Sequence, residues 1–304
     1  MRVLASRRFP GPAWDALADV GVEWPLTGPR PGVEVLAVVA ATVDDELLEL
    51  LPDLRLVAGY GVGYDGIDVE ACARRGVAVT NTPDALGIAT ADLTMALVLA
   101  SRRRVVEGDR FVREGKWASG WYVGDLLGDE IGGASLGIVG LGRIGSAVAT
   151  RARAFGMNVF HTRREDDGSR DRRELDDLLR ESDVVTLHVP LTDETHGLLD
   201  ARRLALLRDG ACVVNTARGA IVDEAALVAE LASGRLRAGL DVFVHEPNVP
   251  EALFDLPNVV LSPHVGSATR ATREAATAEL VTNILAALEQ RPLPNPVPGS
   301  ATVS

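Results

Sequence analysis

Lysine and cysteine are almost absent from this 304-residue chain. Lys116 is the only lysine, so a Schiff-base mechanism would have to use that one residue. The two cysteines, Cys72 and Cys212, have neither metal-ligand nor disulfide spacing, and their flanks are typical of a helix and a buried strand. We therefore expect packing thiols in a reducing compartment, which predicts a cytoplasmic protein with no disulfide and no metal site.

Acidic residues outnumber basic ones. The chain has 31 basic residues against 43 acidic ones, a net charge of −12, which argues against nucleic acid or an anionic membrane as a partner. No apolar run reaches membrane-spanning length, and the N-terminal stretch MRVLASRRFPGPAW lacks a signal-peptide core. With 47% hydrophobic residues the chain can bury a substantial core, so an intrinsically disordered protein is excluded.

Predicted strands and helical segments alternate along the whole chain. Strands are predicted at residues 2–5, 35–40, 56–59, 78–81, 135–139, 158–161, 184–188, 212–215, 238–240 and 259–261. Amphipathic segments lie between most of them, a pattern that indicates βαβ units and parallel sheets. One twisted sheet seldom holds about ten strands without splitting, so two sheets are predicted.

The stretch ASLGIVGLGRIG joins an apolar run to a glycine turn and a helical pattern. Its glycines, Gly140, Gly142 and Gly145, have the spacing G-x-G-x-x-G. The first would make the turn, the second would let phosphates approach the backbone, and the third would let helix and strand pack closely. The helix N-terminus offers free N–H groups and a positive dipole end. We therefore predict a dinucleotide site that includes Arg143 and Ile144.

The glycine motif belongs at the start of a nucleotide domain, yet it lies well inside the chain. About a hundred residues of α/β structure precede it and form another domain. A long helical pattern at residues 90–113 could bridge the two domains, and a second at 268–289 would return the chain to the first. The last stretch, RPLPNPVPGSATVS, is predicted to be loose.

Seven segments resemble those of the D-2-hydroxyacid dehydrogenases, in that family's order and spacing over nearly the full length. They are GYGVGYDGID, NTPDALGIATADLTMALVLA, LGIVGLGRIG, HVPLTDETHGLLD, VVNTARGAIVDEAAL, GLDVFVHEP and NVVLSPHVGSAT. Trp117 and Trp121, followed by LLGDEIGGASLGIVG, are most similar to the glyoxylate/hydroxypyruvate reductase branch.

The resemblance implies an α/β architecture of two doubly wound parallel-sheet domains around a cleft. One would be a Rossmann nucleotide-binding domain and the other a flavodoxin-like substrate domain. We expect the substrate domain to be discontinuous, at residues 1–96 and 279–304, and the NAD(P)-binding domain to cover residues 97–278.

Three side chains match the family's catalytic positions. Arg218 follows the predicted strand CVVN, at the sheet edge where open α/β sheets bind ligands, and its guanidinium can grip a carboxylate and polarise a carbonyl. The resemblance implies that His264 is the proton donor and that Glu246 hydrogen-bonds it, which would favour the imidazolium and fix its tautomer. It also implies that the N–H groups of Val62 and Gly63 receive the substrate carboxylate. The alternatives are a surface arginine, a structural histidine and a solvated loop acid.

The resemblance implies further cofactor contacts. Asp241 would orient the nicotinamide carboxamide, with a cap or turn aspartate as the alternative. Thr94, on the bridging helix, would contact the cofactor or be merely structural. Asn81 and Pro83 open a loop at the expected edge of the cleft. The other implied positions are His188, Pro190, Thr195, Thr216, Ala217, His264 and Gly266.

The turn after the second strand of the nucleotide domain bears on the choice of cofactor. NAD enzymes place a carboxylate there that binds the ribose hydroxyls. Here the strand is followed by Thr162, Arg163 and Arg164, and Arg163 holds the usual acidic position. Because these side chains would bind a 2′-phosphate, NADP(H) is favoured. Glu165 and Asp166 follow at once, and a shift of one or two residues would restore NAD(H).

We therefore predict NAD(P)-dependent reduction of a small anionic 2-oxo acid such as glyoxylate or hydroxypyruvate. The alternatives within enzymes are a dehydrogenase of 3-phosphoglycerate, of another 2-hydroxy acid or of phosphite. An alternative of another class is a non-catalytic NAD(P)-sensing corepressor, against which stand the intact Arg218, Glu246 and His264. The family usually forms dimers through its nucleotide domains, and the apolar stretch WYVGDLL supports a homodimer here.

Overall fold

A computed structural model of the chain contains two compact α/β units. It describes residues 2–118, 120, 126–165 and 168–302. The first unit consists of Met1–Gly87 and Ser267–Ser304, and the second of Ile88–Gly266. Each unit has one sheet in which all the described strand pairs are parallel, so the predicted α/β class with two parallel sheets is confirmed.

The first unit is a five-stranded sheet in the order β2-β1-β3-β4-β5. Its strands are β1 (Val3–Ala5), β2 (Val20–Val22), β3 (Val35–Val38), β4 (Leu56–Gly59) and β5 (Ala78–Thr80), and its helices are α1 (Asp45–Glu49), α2 (Val69–Arg74) and α9 (Arg270–Leu288). One face of the sheet packs against α9, through Leu280 and Ile284 among others, and the opposite face packs against α1 and α2. The C-terminal helix therefore completes the first core, as the sequence led us to expect.

The second unit is a six-stranded sheet in the order β11-β10-β9-β8-β6-β7. Its strands are β6 (Ser135–Val139), β7 (Asn158–Thr162), β8 (Val184–Leu187), β9 (Cys212–Asn215), β10 (Arg237–Leu240) and β11 (Val259–Leu261). Its helices are α3 (Gly87–Arg102), α4 (Val105–Arg113), α5 (Arg143–Ala154), α6 (Leu175–Glu181), α7 (Ala201–Leu204) and α8 (Glu224–Ala232). Within β9, Val213 packs on the core under α6 to α8, whereas Cys212 and Val214 pack on the core under α3 and α5. Strands covered on both faces explain the continuous apolar runs.

The prediction of one continuous helix at residues 90–113 is wrong. It is broken between α3 and α4, where Arg104 has the left-handed φ of 53°. The carbonyl oxygen of Arg102, which a continuing helix would need, accepts a hydrogen bond from Asp129 N at 2.9 Å. A partner distant in sequence therefore ends α3, and the local apolar pattern contains no sign of it.

The chain passes from one unit to the other between Gly87 and Ile88 and returns between Gly266 and Ser267. Both points come before the predicted domain boundaries, 96/97 and 278/279. The difference arises because the predicted boundaries fall inside α3 and α9, and each helix packs almost entirely on one sheet. Helix α3 packs on the second sheet, and α9 packs on the first. The assignment of one unit to substrate and the other to the dinucleotide stays a prediction.

The proline-rich C-terminal stretch packs onto the first unit as far as Val297, so the expectation that the stretch is loose is wrong for that part. Val297 is buried, and its N–H donates to Val79 O at 2.9 Å on the edge strand β5. Asn283, on α9, accepts from Asn295 N at 3.1 Å. Prolines remove some donors from such a stretch, but the remaining amides still bind a strand edge.

The two cysteines are buried and free. Burial raises the pKa of the Cys72 and Cys212 thiols to about 11, which fits their predicted role as packing residues. Among the helices of the described residues, none is both long and apolar enough to cross a membrane.

Candidate active site

The glycine turn after β6 has a different physical requirement at each of its three glycines. Gly140 has a φ of +96°, and a Cβ there would lie 2.8 Å from His188 O. A Cβ on Gly145, inside α5, would overlap the carbonyl oxygen of Gly140. A Cβ on Gly142, which caps α5, would meet nothing within 4 Å. Close packing thus explains the outer glycines, and the space before the helix N-terminus fits the pyrophosphate of a dinucleotide.

The loop that carries Arg218 begins where β9 ends. Asn215, the last residue of that strand, is buried and binds the loop with both ends of its amide. Its Nδ2 donates to Arg218 O at 2.8 Å, and its Oδ1 accepts from Ala217 N at 3.0 Å. Arg218 is partly exposed, and its guanidinium donates to Ala217 O at 2.7 Å. The Arg218 guanidinium therefore lies near the C-terminal end of β9, as predicted, on a loop whose backbone is held by hydrogen bonds.

Thr94, on α3, forms a hydrogen bond with the loop that carries Arg218. Its side chain is fully buried, and its hydroxyl donates to Thr90 O at 2.8 Å. The Thr216 hydroxyl lies 2.9 Å from the Thr94 hydroxyl, so Thr216 donates to it. These bonds favour the structural alternative for Thr94, and a direct contact of Thr94 with a cofactor stays a prediction.

His264 and Glu246 are brought together by the segments that follow β11 and β10. The Nδ1 atom of His264 lies 2.6 Å from Glu246 Oε2, and the other carboxylate oxygen accepts from Phe243 N at 3.0 Å. The His264 and Glu246 side chains are 46% and 35% exposed. Because Glu246 binds Nδ1, the Nε2 atom is the ring nitrogen left to exchange a proton with a substrate.

Asp241, directly after β10, fixes the backbone around the histidine. It is fully buried, and its carboxylate accepts from Val265 N at 2.9 Å and from Gly266 N at 2.8 Å. Its carbonyl oxygen accepts from His264 N at 2.8 Å. This is the turn role kept open for Asp241 from the sequence, and its contact with a nicotinamide carboxamide stays a prediction.

His188 and the turn after β8 stand beside the glycine motif. His188 N donates to Val139 O at 2.8 Å, and burial lowers the pKa of the imidazole to about 4, so the ring is neutral at physiological pH. Its buried Nε2 has no hydrogen-bond partner among the described residues. Thr195 Oγ1 donates to Pro190 O at 2.6 Å, which closes the turn. All three residues were predicted cofactor contacts, a role that stays a prediction.

The turn predicted to select the cofactor follows β7. That strand ends at Thr162, and Arg163, Arg164 and Glu165 are exposed. Arg164 forms an ion pair with Glu194, a residue that the sequence did not point to. Asp166, the other candidate acid, lies outside the described residues.

In the first unit, the loop after β4 is tied to the segment after β5. Gly61 N donates to Thr82 Oγ1 at 2.9 Å, and Thr82 N donates to Gly61 O at 2.9 Å. Asn81 Nδ2 donates to Val62 O at 2.8 Å. Val62 and Gly63 are exposed, so they lie on a surface loop of fixed shape.

Comparison with known proteins identifies the family. The model for the D-isomer specific 2-hydroxyacid dehydrogenase, NAD binding domain, matches residues 95–266. The glyoxylate reductase of Pyrococcus horikoshii is 47% identical over 270 residues, which is 86% of this chain and 80% of that protein. The chain belongs to the D-isomer specific 2-hydroxyacid dehydrogenases. The resemblance seen in its sequence segments is therefore confirmed.

Solved structures agree with this assignment. The NADPH-dependent glyoxylate/hydroxypyruvate reductase from Sinorhizobium meliloti, in complex with NADP and malonate, has a TM-score of 0.91 and 34% identity, covering 100% of this chain and 98% of that one. The D-lactate dehydrogenase from Aquifex aeolicus, complexed with NAD and lactic acid, has a TM-score of 0.84 and 28% identity, with 95% of each chain covered. The protein is an NAD(P)-dependent 2-hydroxyacid dehydrogenase and uses a nicotinamide cofactor.

The second unit of the dehydrogenase brings most predicted residues to one edge of its sheet. The glycine turn, Arg218, Asp241 and the Glu246–His264 pair all follow carboxyl ends of parallel strands. The sequence did not point to Asn215, to Gly219, which lies against the Phe243–Val244 peptide, or to Glu224, whose carboxylate accepts from Val244 N. Asn215 had the one available signal, a polar residue that closes an apolar strand.

Proposed function

We propose that the dehydrogenase reduces a small 2-oxo acid, glyoxylate or hydroxypyruvate. The observation that carries this proposal is the 2.6 Å contact between His264 Nδ1 and Glu246, at the same sheet edge as Arg218 and the glycine turn. The relatives named glyoxylate reductase and the Sinorhizobium meliloti enzyme support this choice of substrate. Steady-state turnover of glyoxylate, hydroxypyruvate, pyruvate and phenylpyruvate with reduced nicotinamide tests it.

In this proposal the protein holds the substrate and supplies the proton. The bound cofactor supplies a hydride for the carbonyl carbon of the 2-oxo acid. The Arg218 guanidinium binds the carboxylate and polarises the carbonyl. The binding of a carboxylate by the N–H groups of Val62 and Gly63 stays a prediction. The oxygen of the former carbonyl takes the proton from Nε2 of His264. Solvent restores that proton, in keeping with a histidine side chain that is 46% exposed.

Glu246 has a testable effect on turnover. Its carboxylate contacts Nδ1 of His264 at 2.6 Å, which leaves Nε2 for the substrate. Glu246→Gln should therefore lower kcat for glyoxylate by about tenfold, the effect of one charge-assisted hydrogen bond weakened at the transition state. The rate is measured where a deuterated cofactor gives a full isotope effect, so that chemistry limits the rate.

A matched control for this change is Glu251→Gln, which removes the same charge from an exposed turn and should keep wild-type kcat. If Glu246→Gln also keeps wild-type kcat, Glu246 does not support the proton donor.

We also propose that the enzyme prefers NADP(H) to NAD(H). The support is the exposed Arg163 directly after β7, where an NAD enzyme has a carboxylate. Arg164 adds positive charge, although its ion pair with Glu194 offsets part of it. Arg163 and Arg164 are therefore both expected to attract a 2′-phosphate.

A homodimer and a cytoplasmic location complete the proposal. None of the described side chains of α4 is buried, and Val105 and Val112 are 56% and 55% exposed. An apolar helix face of this kind suits a second copy of the chain. Of the stretch WYVGDLL, only Leu126 and Leu127 lie within the described residues, and Leu127 is exposed. The buried free thiols fit a reducing compartment.

A further inference from the structure

We propose that Glu224 is a positioning residue for the Glu246–His264 pair, an inference that rests on the proposed function. Glu224 is the first residue of α8, and its side chain reaches away from its own helix. Its Oε1 accepts a hydrogen bond at 3.0 Å from Val244 N, two residues before Glu246. A half-buried carboxylate far from Glu246 in sequence therefore holds the backbone that carries it.

The turn before Glu246 is held by two carboxylates at successive amides. Phe243 N donates to Glu246 Oε1 at 3.0 Å, and Val244 N donates to Glu224 Oε1 at 3.0 Å. Glu246 uses its other oxygen for His264 Nδ1. Because one carboxylate joins Phe243 N to the histidine ring, a movement of the Phe243 backbone, whose carbonyl forms the peptide with Val244, changes the orientation of the ring's partner.

The same peptide is touched from a second side by the Arg218 loop. Gly219 follows Arg218, and a Cβ on Gly219 would overlap the backbone carbonyl of Phe243 and the amide of Val244. The short 3-10 turn that begins at Gly219 leads directly towards α8. The segment from Arg218 to Glu224 thus meets this peptide twice, once through the Gly219 backbone and once through the Glu224 side chain. This segment therefore links the position of the Arg218 guanidinium to that of the Glu246–His264 pair.

Loss of the Glu224 contact should affect proton transfer more than binding. Without the carboxylate, water would accept from the exposed Val244 N–H, and the turn would hold Glu246 less firmly. The glycine turn lies after β6, at a different part of the sheet edge, and its geometry does not depend on Glu224. We therefore expect kcat to fall while the KM for the cofactor stays unchanged.

The first test compares three substitutions at this position. Glu224→Ala should lower kcat for glyoxylate by about three- to tenfold, the effect of one hydrogen bond lost at the transition state. Glu224→Gln keeps an oxygen acceptor and should restore most of the rate. Glu224→Asp keeps the charge at the helix start, but its shorter side chain stops short of Val244, so it should resemble the alanine variant. Wild-type kcat in both the alanine and aspartate variants would overturn the inference.

The matched control is Asp223→Ala, on the neighbouring residue. Asp223 caps α8 by accepting from Ala226 N at 3.0 Å, so its loss should lower the Tm. It touches neither Val244 nor Glu246 through that bond, and we expect kcat to be kept. If Asp223→Ala and Glu224→Ala lower kcat equally, the effect belongs to the stability of α8 and the positioning role is wrong.

A double-mutant cycle separates this inference from the proposed function. If Glu224 acts through Glu246, Glu224→Ala should change kcat little once Glu246→Gln is present. Additive losses would overturn the positioning role and leave the proposed function intact. A slow Glu246→Gln enzyme beside an unchanged Glu224→Ala enzyme would do the same. A Glu246→Gln enzyme with wild-type kcat would overturn the proposed mechanism and this inference with it.

Discussion

His264→Ala and Arg218→Ala should each lower kcat/KM for glyoxylate by at least about 10²-fold, because each removes an interaction made to charge that develops during the reaction. The alkoxide oxygen loses its proton donor in the first variant. In the second, the substrate carboxylate and the polarised carbonyl lose their cation. The measurement is the steady-state reduction of glyoxylate at saturating cofactor.

Two further measurements make this result specific. Cofactor affinity, followed by quenching of protein fluorescence, should change far less than kcat/KM, since the glycine turn of the second unit stays intact. His245→Ala and Arg202→Ala remove the same side chains from exposed positions, the second from an ion pair with Asp176, and should keep wild-type turnover. Near wild-type turnover in both the His264 and the Arg218 variants would show that the proposed mechanism is wrong.

The cofactor preference should be large and reversible by substitution. A charge-assisted contact to phosphate contributes about 1.5–3 kcal/mol, or roughly ten- to a hundredfold in affinity, so kcat/KM for NADPH should exceed that for NADH. Replacing Arg163 by Asp and Arg164 by Ala together should reverse the preference, because the change removes attraction and adds repulsion. The ratio of the two kcat/KM values, measured with one 2-oxo acid, is the observable.

Salt and Glu194 provide the controls for the cofactor preference. Arg163 and Arg164 are exposed, so high salt should shrink the preference of the wild-type enzyme. Glu194→Gln frees Arg164 from its ion pair and should not lower the preference for NADPH. A wild-type enzyme that strongly prefers NADH would contradict the proposal and would point to Glu165 or Asp166 as the ribose ligand.

The strands were predictable because parallel sheets covered on both faces need continuous apolar runs. The runs CVVN and SLGIV became β9 and β6 at the predicted bounds. Strand β2 was missed since VGV is short, partly exposed and contains a glycine at the sheet edge. The break at Arg104 was missed because a distant amide, Asp129 N, decides it. Local patterns therefore locate elements that are stabilised by burial, and they miss breaks set by long-range hydrogen bonds.

The candidate site divides in the same way. Gly140, Gly142 and Gly145 could be found because a turn that runs directly into a helix gives them a fixed spacing, as the close approach of Gly145 to Gly140 O shows. The contact of His264 with Glu246 came from a family match, since no spacing rule joins residues on two different strand ends. Glu224 and Asn215 form hydrogen bonds with backbone atoms. Because every residue type has these atoms, the sequence gives little indication of which residues the two side chains contact.

The most direct test of the proposed function is the loss of reduced-nicotinamide absorbance with and without glyoxylate, in the wild-type enzyme and in His264→Ala. The wild-type enzyme should consume NADPH when glyoxylate or hydroxypyruvate is added, whereas His264→Ala should bind the cofactor and consume it at least about 10²-fold more slowly. A wild-type protein that binds the dinucleotide but reduces none of glyoxylate, hydroxypyruvate, pyruvate or phenylpyruvate would contradict the proposal and favour a non-catalytic, cofactor-sensing protein.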